Sequence, residues 1–168
     1  SGARFDAIFA GSDLIAIGAM RALAEAGLKV PGQLIAQGQF TYRSGMMAAE
    51  RLLSLPTRPS AIFASNDDMA AATVAMAHRR HLDVPSDITV CGFDDTDLAS
   101  SIWPELTTIR QPIRQMTACA VEMIAKISRR SGKRDQPEQV MLPYQLIRRN
   151  SDAGPSLATS YNDGRDDK

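Results

Sequence analysis

Reactive and aromatic side chains are scarce in this chain. Its 168 residues hold two cysteines, two histidines, one tryptophan and 5% aromatics. Cys91 and Cys119 match no ligand or redox spacing and read as buried free thiols of a reducing compartment. His78 and His81 lie three apart between arginines, a setting that repels a cation, so a solvated helix end is expected and no metal. There is no P-loop, no GxSxG and no HExxH, so neither an enzyme nor a cofactor is expected. Net charge is also missing, because 19 basic and 19 acidic residues cancel. That balance gives no bulk drive toward nucleic acid or a membrane surface. The one basic cluster, Arg129, Arg130, Lys133 and Arg134, reads as a helix end where cations suit the dipole. No apolar run reaches the roughly 20 residues of a membrane helix. The first residues lack the charged start and long apolar stretch of a secretory leader, so a cytoplasmic protein is expected.

What is present is alternation. Short apolar runs alternate with helical patterns, which argues for repeated βα units and an α/β fold built on a parallel sheet. Strands are expected over 7–10, 34–37, 61–64, 88–91 and 106–109, with 139–142 and 146–148 closing the ordered part. Helices are expected over 14–26, capped by Ser12 or Asp13 and closed by Gly27, and over 44–55, closed by Pro56. Two more are expected over 69–80, capped by Asn66 or Asp67, and over 113–130. Residues 150–168, rich in Ser, Asp and Gly, read as a disordered tail.

Three of the apolar runs end in polar residues that suit a ligand. One leads into Ser65-Asn66-Asp67-Asp68, one into Gly92-Phe93-Asp94-Asp95, and one into Arg110-Gln111. Ligands of open parallel sheets sit outside the carboxyl ends of the strands, so the three clusters are expected to converge on one crevice. There is also an internal echo. Residues 7–31 and 61–85 align without gaps, with nine of 25 positions identical, including AIFA, the aspartates Asp13 and Asp67, and the closing Val-Pro. Two copies are too few for a solenoid.

The segments ASNDDMA, VCGFDD and LTTIRQP, in that order and spacing, resemble the effector-binding core of the LacI/GalR family of bacterial transcriptional regulators. The resemblance runs from about Leu34 to Asn150. It implies a three-layer (αβα) periplasmic-binding-protein-like lobe, a sugar or nucleoside effector held in a cleft between two lobes, and a dimer. The family's helix-turn-helix and N-terminal lobe have no counterpart here, so a truncated or rearranged member without direct nucleic acid contact is expected. Residues 1–33 then form an atypical βα unit, 34–149 the effector-binding and dimerisation lobe, and 150–168 the tail. The helix over 113–130 would lack its usual partner, leaving Ile113, Met116, Ala120, Met123, Ile124 and Ile127 to repack, recruit another copy or stay exposed.

Sugars need carboxylates and amides that pair with hydroxyls, and an aromatic face for the C–H side of the ring. Asp94 is the first candidate, since a carboxylate at a strand end accepts from two hydroxyls; its competing role is a turn former or helix cap. Asn66 can grip a hydroxyl pair or cap a helix, and Asp67 reads better as a cap and first-turn anion. By the resemblance, Gln111 matches a strand-end glutamine facing the cleft and Phe40 a cleft aromatic. Tyr42 and Arg43 follow on the same loop. The resemblance also places Met69, Thr73, Met76, Ile102 and Trp103 on a flat dimer face, although simple core burial suits Met69 and Val74 better.

The leading expectation is therefore the sugar-sensing, dimerising part of a transcription regulator, as a homodimer or a heterodimer with full-length relatives. A stand-alone solute-binding protein and a non-functional or dominant-negative remnant are the alternatives.

Overall fold

The computed structural model describes residues 7–10, 21, 24, 25, 27, 34–129 and 139–152. The elements run β1 (Ala7–Ala10), β2 (Ile35–Gln37), α1 (Tyr42–Leu53), β3 (Ala61–Ala64), α2 (Asp67–Arg79), β4 (Thr89–Cys91), α3 (Asp97–Ser101), β5 (Thr108–Arg110), α4 (Ile113–Arg129) and β6 (Gln145–Ile147). A four-stranded sheet has the order β2-β1-β3-β4, and every pair in it is parallel. The expected α/β lobe with a parallel sheet is thus present.

The echo has a structural meaning. The two AIFA segments become neighbouring strands, with Ala7 beside Ile62 and Phe9 beside Ala64. β1 thereby separates β2 from β3. The expected helix over 14–26 falls largely outside the described residues. At its end Gly27 has φ 74° and its N–H donates to the Ala24 carbonyl at 3.0 Å, the backbone of a glycine C-cap.

Local chemistry fixes the helix starts. Thr41 accepts from the Ser44 N–H at 3.2 Å and Ser44 Oγ accepts from the Thr41 N–H at 3.3 Å, so α1 begins at Tyr42 rather than Ser44. Asn66, and not Asp67, caps α2: its Oδ1 accepts from the Met69 N–H at 3.0 Å. Asp67 and Asp68 then fill the first turn and His78 and Arg79 the last, each matching the dipole. α1 and α2 pack closely at Gly45, where a Cβ would lie 2.8 Å from both Ala72 Cβ and Met69 Cα. The core of Leu52, Ile62, Met69, Val74, Ile88, Val90 and Leu106 lies between these helices and the sheet.

Several expectations need correction. Residues 139–142 are irregular rather than strand, and β5 does not simply extend the parallel sheet. It touches β4 through one parallel bridge, Cys91 to Thr107, and then pairs antiparallel with β6. The reason lies at the chain's far end, where Asn150–Asp152 are fixed rather than disordered. Ser151 is fully buried, its hydroxyl donates to the Val90 carbonyl at 2.6 Å, its carbonyl accepts from the Val90 N–H at 2.9 Å, and its Oγ accepts from the Thr107 N–H at 2.9 Å. Ser151 therefore stands between β4 and the approach to β5 and takes the bonds a continuing ladder would have made. The two cysteines are half-buried, and Cys91 has its thiol pushed up to about 12, first by burial and then by the charges of Asp152 and Asp67.

The last correction concerns the expected dimer face. Met69, Thr73 and Met76 are buried inside the lobe, and the Thr73 hydroxyl is spent on the Met69 carbonyl at 2.8 Å. Ile102 is half-buried against the same core, and of the five only Trp103 is exposed, at 77%. The apolar stripe of α2 faces inward, as its spacing allowed.

Along α4 the expected apolar face is largely uncovered by the described residues. Ile113, Met116, Val121, Ile124 and Ile127 are exposed, while Met123 is half-buried and its sulfur lies 3.9 Å from that of Cys119. Among the described residues no helix is long and apolar enough to cross a membrane.

Candidate functional site

The carboxyl ends of β2, β3, β4 and β5 carry the loops that hold every expected ligand residue. At the end of β2, Phe40 is 43% exposed with φ 55°, an uncommon conformation for a bulky residue. At the end of β3, the Asn66 side-chain N–H donates to the Phe40 carbonyl at 3.0 Å, which joins the first two loops.

The loop after β4 is shaped by three constraints. Gly92 is needed because a Cβ there would run into the Asp67 carboxylate and meet Ala70 Cβ at 3.2 Å. Phe93 stacks edge-on against Phe63 with centroids 6.5 Å apart, which seats the loop on β3. Asp94 and Asp95 then turn at φ 106° and 54°, with the Asp94 N–H donating to the Ile109 carbonyl at 2.9 Å. Such backbone persists only where surroundings enforce it, and it collects at functional positions.

Consecutive residues of β5 and its exit pair with consecutive aspartates. Gln111 Nε2 donates to Asp94 Oδ1 at 2.7 Å, and Arg110 Nε donates to Asp95 Oδ2 at 2.5 Å. Arg149 closes on the other Asp95 oxygen at 2.6 Å. The two carboxylates consequently differ. Burial would raise Asp95, but hydrogen bonds and charge from Arg149 and then Arg110 outweigh it and hold the group below its ordinary value. Asp94 is raised instead, mainly by desolvation and also by the nearby charges of Asp67 and Asp68, against the lowering bond from Gln111. Asp95 is a buried structural anion, whereas Asp94 stays exposed with an oxygen available to a ligand.

Asp67 belongs with Asp95. It is fully buried; one oxygen accepts from Thr108 Oγ1 at 2.6 Å, and the other from the Thr96 N–H at 2.7 Å and hydroxyl at 3.1 Å. It ties α2 to β5 and to the loop after β4, a larger task than the helix-start role expected of it. The strand-end loops thus carry two bonded pairs, Phe40 with Asn66 and Asp94 with Gln111, and Tyr42 and Arg43 are exposed beside Phe40. A neighbouring cavity of about 250 Å³ is lined by Arg110, Gln111, Pro112, Gln115, Pro143 and Gln145. Among the described residues no group of three or more His, Cys, Asp or Glu is placed to hold a metal ion. His78 and His81 are both exposed at the end of α2.

Sequence reasoning missed Arg149 and Ser151. Both lie where the composition turns polar, and only their long-range partners, Asp95 and Val90, reveal them.

A rim of this build, at the strand ends of a parallel α/β lobe, is that of a ligand-binding protein. Residues 35–151 match the periplasmic binding protein-like domain. The chain belongs to that family, as an effector-binding lobe of the LacI/GalR type. It is similar to catabolite control protein A of Priestia megaterium, 40% identical over 109 residues that make up 65% of this chain and 33% of the relative. It is also similar to the HTH-type transcriptional repressor PurR of Shigella sonnei, 38% identical over 140 residues, 83% of this chain and 40% of the relative. Among solved structures, it resembles a sugar-binding transcriptional regulator of the LacI family from Escherichia coli, complexed with phosphate. That match has a TM-score of 0.78 and 31% identity, and covers 92% of this chain and 56% of the other. The chain thus spans 33% to 40% of the length of these curated relatives.

Proposed function

We propose that the rim binds a sugar, and that the chain acts in the cytoplasm as the sensing part of a transcription regulator rather than as an enzyme. The observation that carries this reading is the contrast between the two aspartates. Asp95 has both oxygens spent on arginines, while exposed Asp94 uses one oxygen on Gln111. A carboxylate with a free oxygen, an amide beside it and an exposed aromatic ring at Phe40 together supply what a sugar needs: an acceptor for hydroxyls, a second polar partner and an apolar face. The likeness to the sugar-binding regulator from Escherichia coli supports the same ligand class.

Asp94 accepts hydrogen bonds from hydroxyls most strongly while ionised. Because its pKa is raised, affinity falls on acidification sooner than an ordinary aspartate would impose. The proposed homodimer, or heterodimer with full-length relatives, rests on Trp103, the exposed member of the expected face, with half-buried Ile102 at its edge. Trp is enriched at such contacts.

The test is a thermal melt of the chain against a panel of mono- and disaccharides. A ligand at 100 times its Kd that binds only the folded form adds about 2.7 kcal/mol. One sugar that raises the midpoint in the native chain and not in Asp94→Asn supports the reading. A melt that no sugar moves contradicts it.

A further inference from the structure

Asn66 has little left to offer a ligand. It is 7% exposed, one N–H of its amide is given to the Phe40 carbonyl at 3.0 Å, and its oxygen is taken by the Met69 N–H at 3.0 Å. Phe40, by contrast, is 43% exposed and sits at φ 55°. Something must hold an aromatic residue in that left-handed conformation. On either side of it, the Gln39 and Thr41 N–H groups both donate to Ser44 Oγ, at 2.9 and 3.3 Å. The Phe40 carbonyl between them is held from across the sheet by Asn66.

We infer that Asn66 is a positioning residue, which pins the Phe40 carbonyl to the start of α2 and so sets where the aromatic ring stands at the rim. It does not itself touch the ligand. This rests on the reading that the rim takes a ligand. The choice of side chain fits the task. Capping alone is served by Ser, Thr, Asp or Asn. Bonding a carbonyl at the same time needs a donor as well, and of these four only Asn carries an acceptor and an N–H at opposite ends of one planar group. Fixing a contact residue before the ligand arrives improves affinity by removing the cost of ordering it.

Asn66→Asp separates the two tasks, since an ionised carboxylate keeps the cap and cannot donate to Phe40. Asn66→Ser keeps a cap with a side chain too short to bridge, and serves if the aspartate variant does not fold. The first readout is free of ligand: the Phe40 Cα and carbonyl NMR shifts. They are expected to leave left-handed values in either variant while the rest of the α2 start is retained; unchanged Phe40 shifts would overturn the assignment. The second is a double-mutant cycle, measured with whichever saccharide of the panel most stabilises the native chain. Asn66→Asp is expected to weaken binding about tenfold, and to add nothing once Phe40 is Ala. Equal losses in both backgrounds would mean direct contact with the sugar and would sink the inference. If no saccharide binds, the sugar reading fails on its own, and the Phe40 shifts still decide what Asn66 does.

Discussion

The strand-end rim and the α4–β6 flank treat their side chains in opposite ways. Beneath the rim, the acceptors Asp67, Asp95 and Ser151 are sequestered and engaged: Asp67 with Thr96 and Thr108, Asp95 with Arg110 and Arg149, Ser151 with Val90 and Thr107. On the flank, apolar groups stand in the open, with Ile127 at 71% and Met141 at 97% exposure. The rim is held together by long-range hydrogen bonds and ion pairs. The flank contributes apolar surface that the described residues leave uncovered, an arrangement usual at interaction surfaces. Substitutions should therefore be costly in the first region and nearly silent in the second.

The largest effect belongs to Asp67. Asp67→Ala strands the buried Thr108 hydroxyl and takes the acceptor from the part-buried Thr96 N–H, and orphaned buried polar groups are expensive. A loss of about 3 kcal/mol is expected in urea unfolding. A loss under about 1 kcal/mol would mean that the cluster carries no special weight.

Acid should act on the same region next. The Asp95 carboxyl is lower in the folded chain than its ordinary value of 3.8, so its stabilising contribution is fully present above 3.8. It fades as pH falls through the lower folded value. Unfolding midpoints measured from pH 6 downward should drop in that window for the native chain and less steeply for Asp95→Asn. Parallel curves for the two would remove Asp95 from the account.

The smallest effect lies on α4. Ile124→Ser should change unfolding stability by no more than about 0.5 kcal/mol, since a surface change away from packed features does little. Fluorescence of a hydrophobic dye should fall with it. A loss as large as that of Asp67→Ala would erase the contrast between the regions.

The two regions also differ in how far the sequence discloses them. β3 was legible to the residue because an apolar run of four, AIFA, meets the polar cluster Ser65-Asn66-Asp67 abruptly, and the gathering of loops followed from parallel topology. The rim's inner braces were not. Ser151 sits in the stretch that reads as tail and Arg149 just before it, and their partners lie more than 40 residues away. Met69, Thr73 and Met76 show a different limit. An apolar stripe at helical spacing says that a face is covered, but not whether the cover is the chain's own sheet or another molecule. The α4 stripe has the same spacing and the opposite fate. β5 and β6 are three residues each, too short for periodicity to separate a parallel from an antiparallel pairing.

The central claim is that one ligand bridges the loops after β2, β4 and β5. A two-dimensional NMR titration of the isotope-labelled chain with the saccharide that most raises its melting point tests this directly. The account predicts saturable shifts at Phe40, Asp94 and Gln111 together, with one shared Kd. Shifts confined to α4 and β6, or different affinities at the three positions, would contradict it.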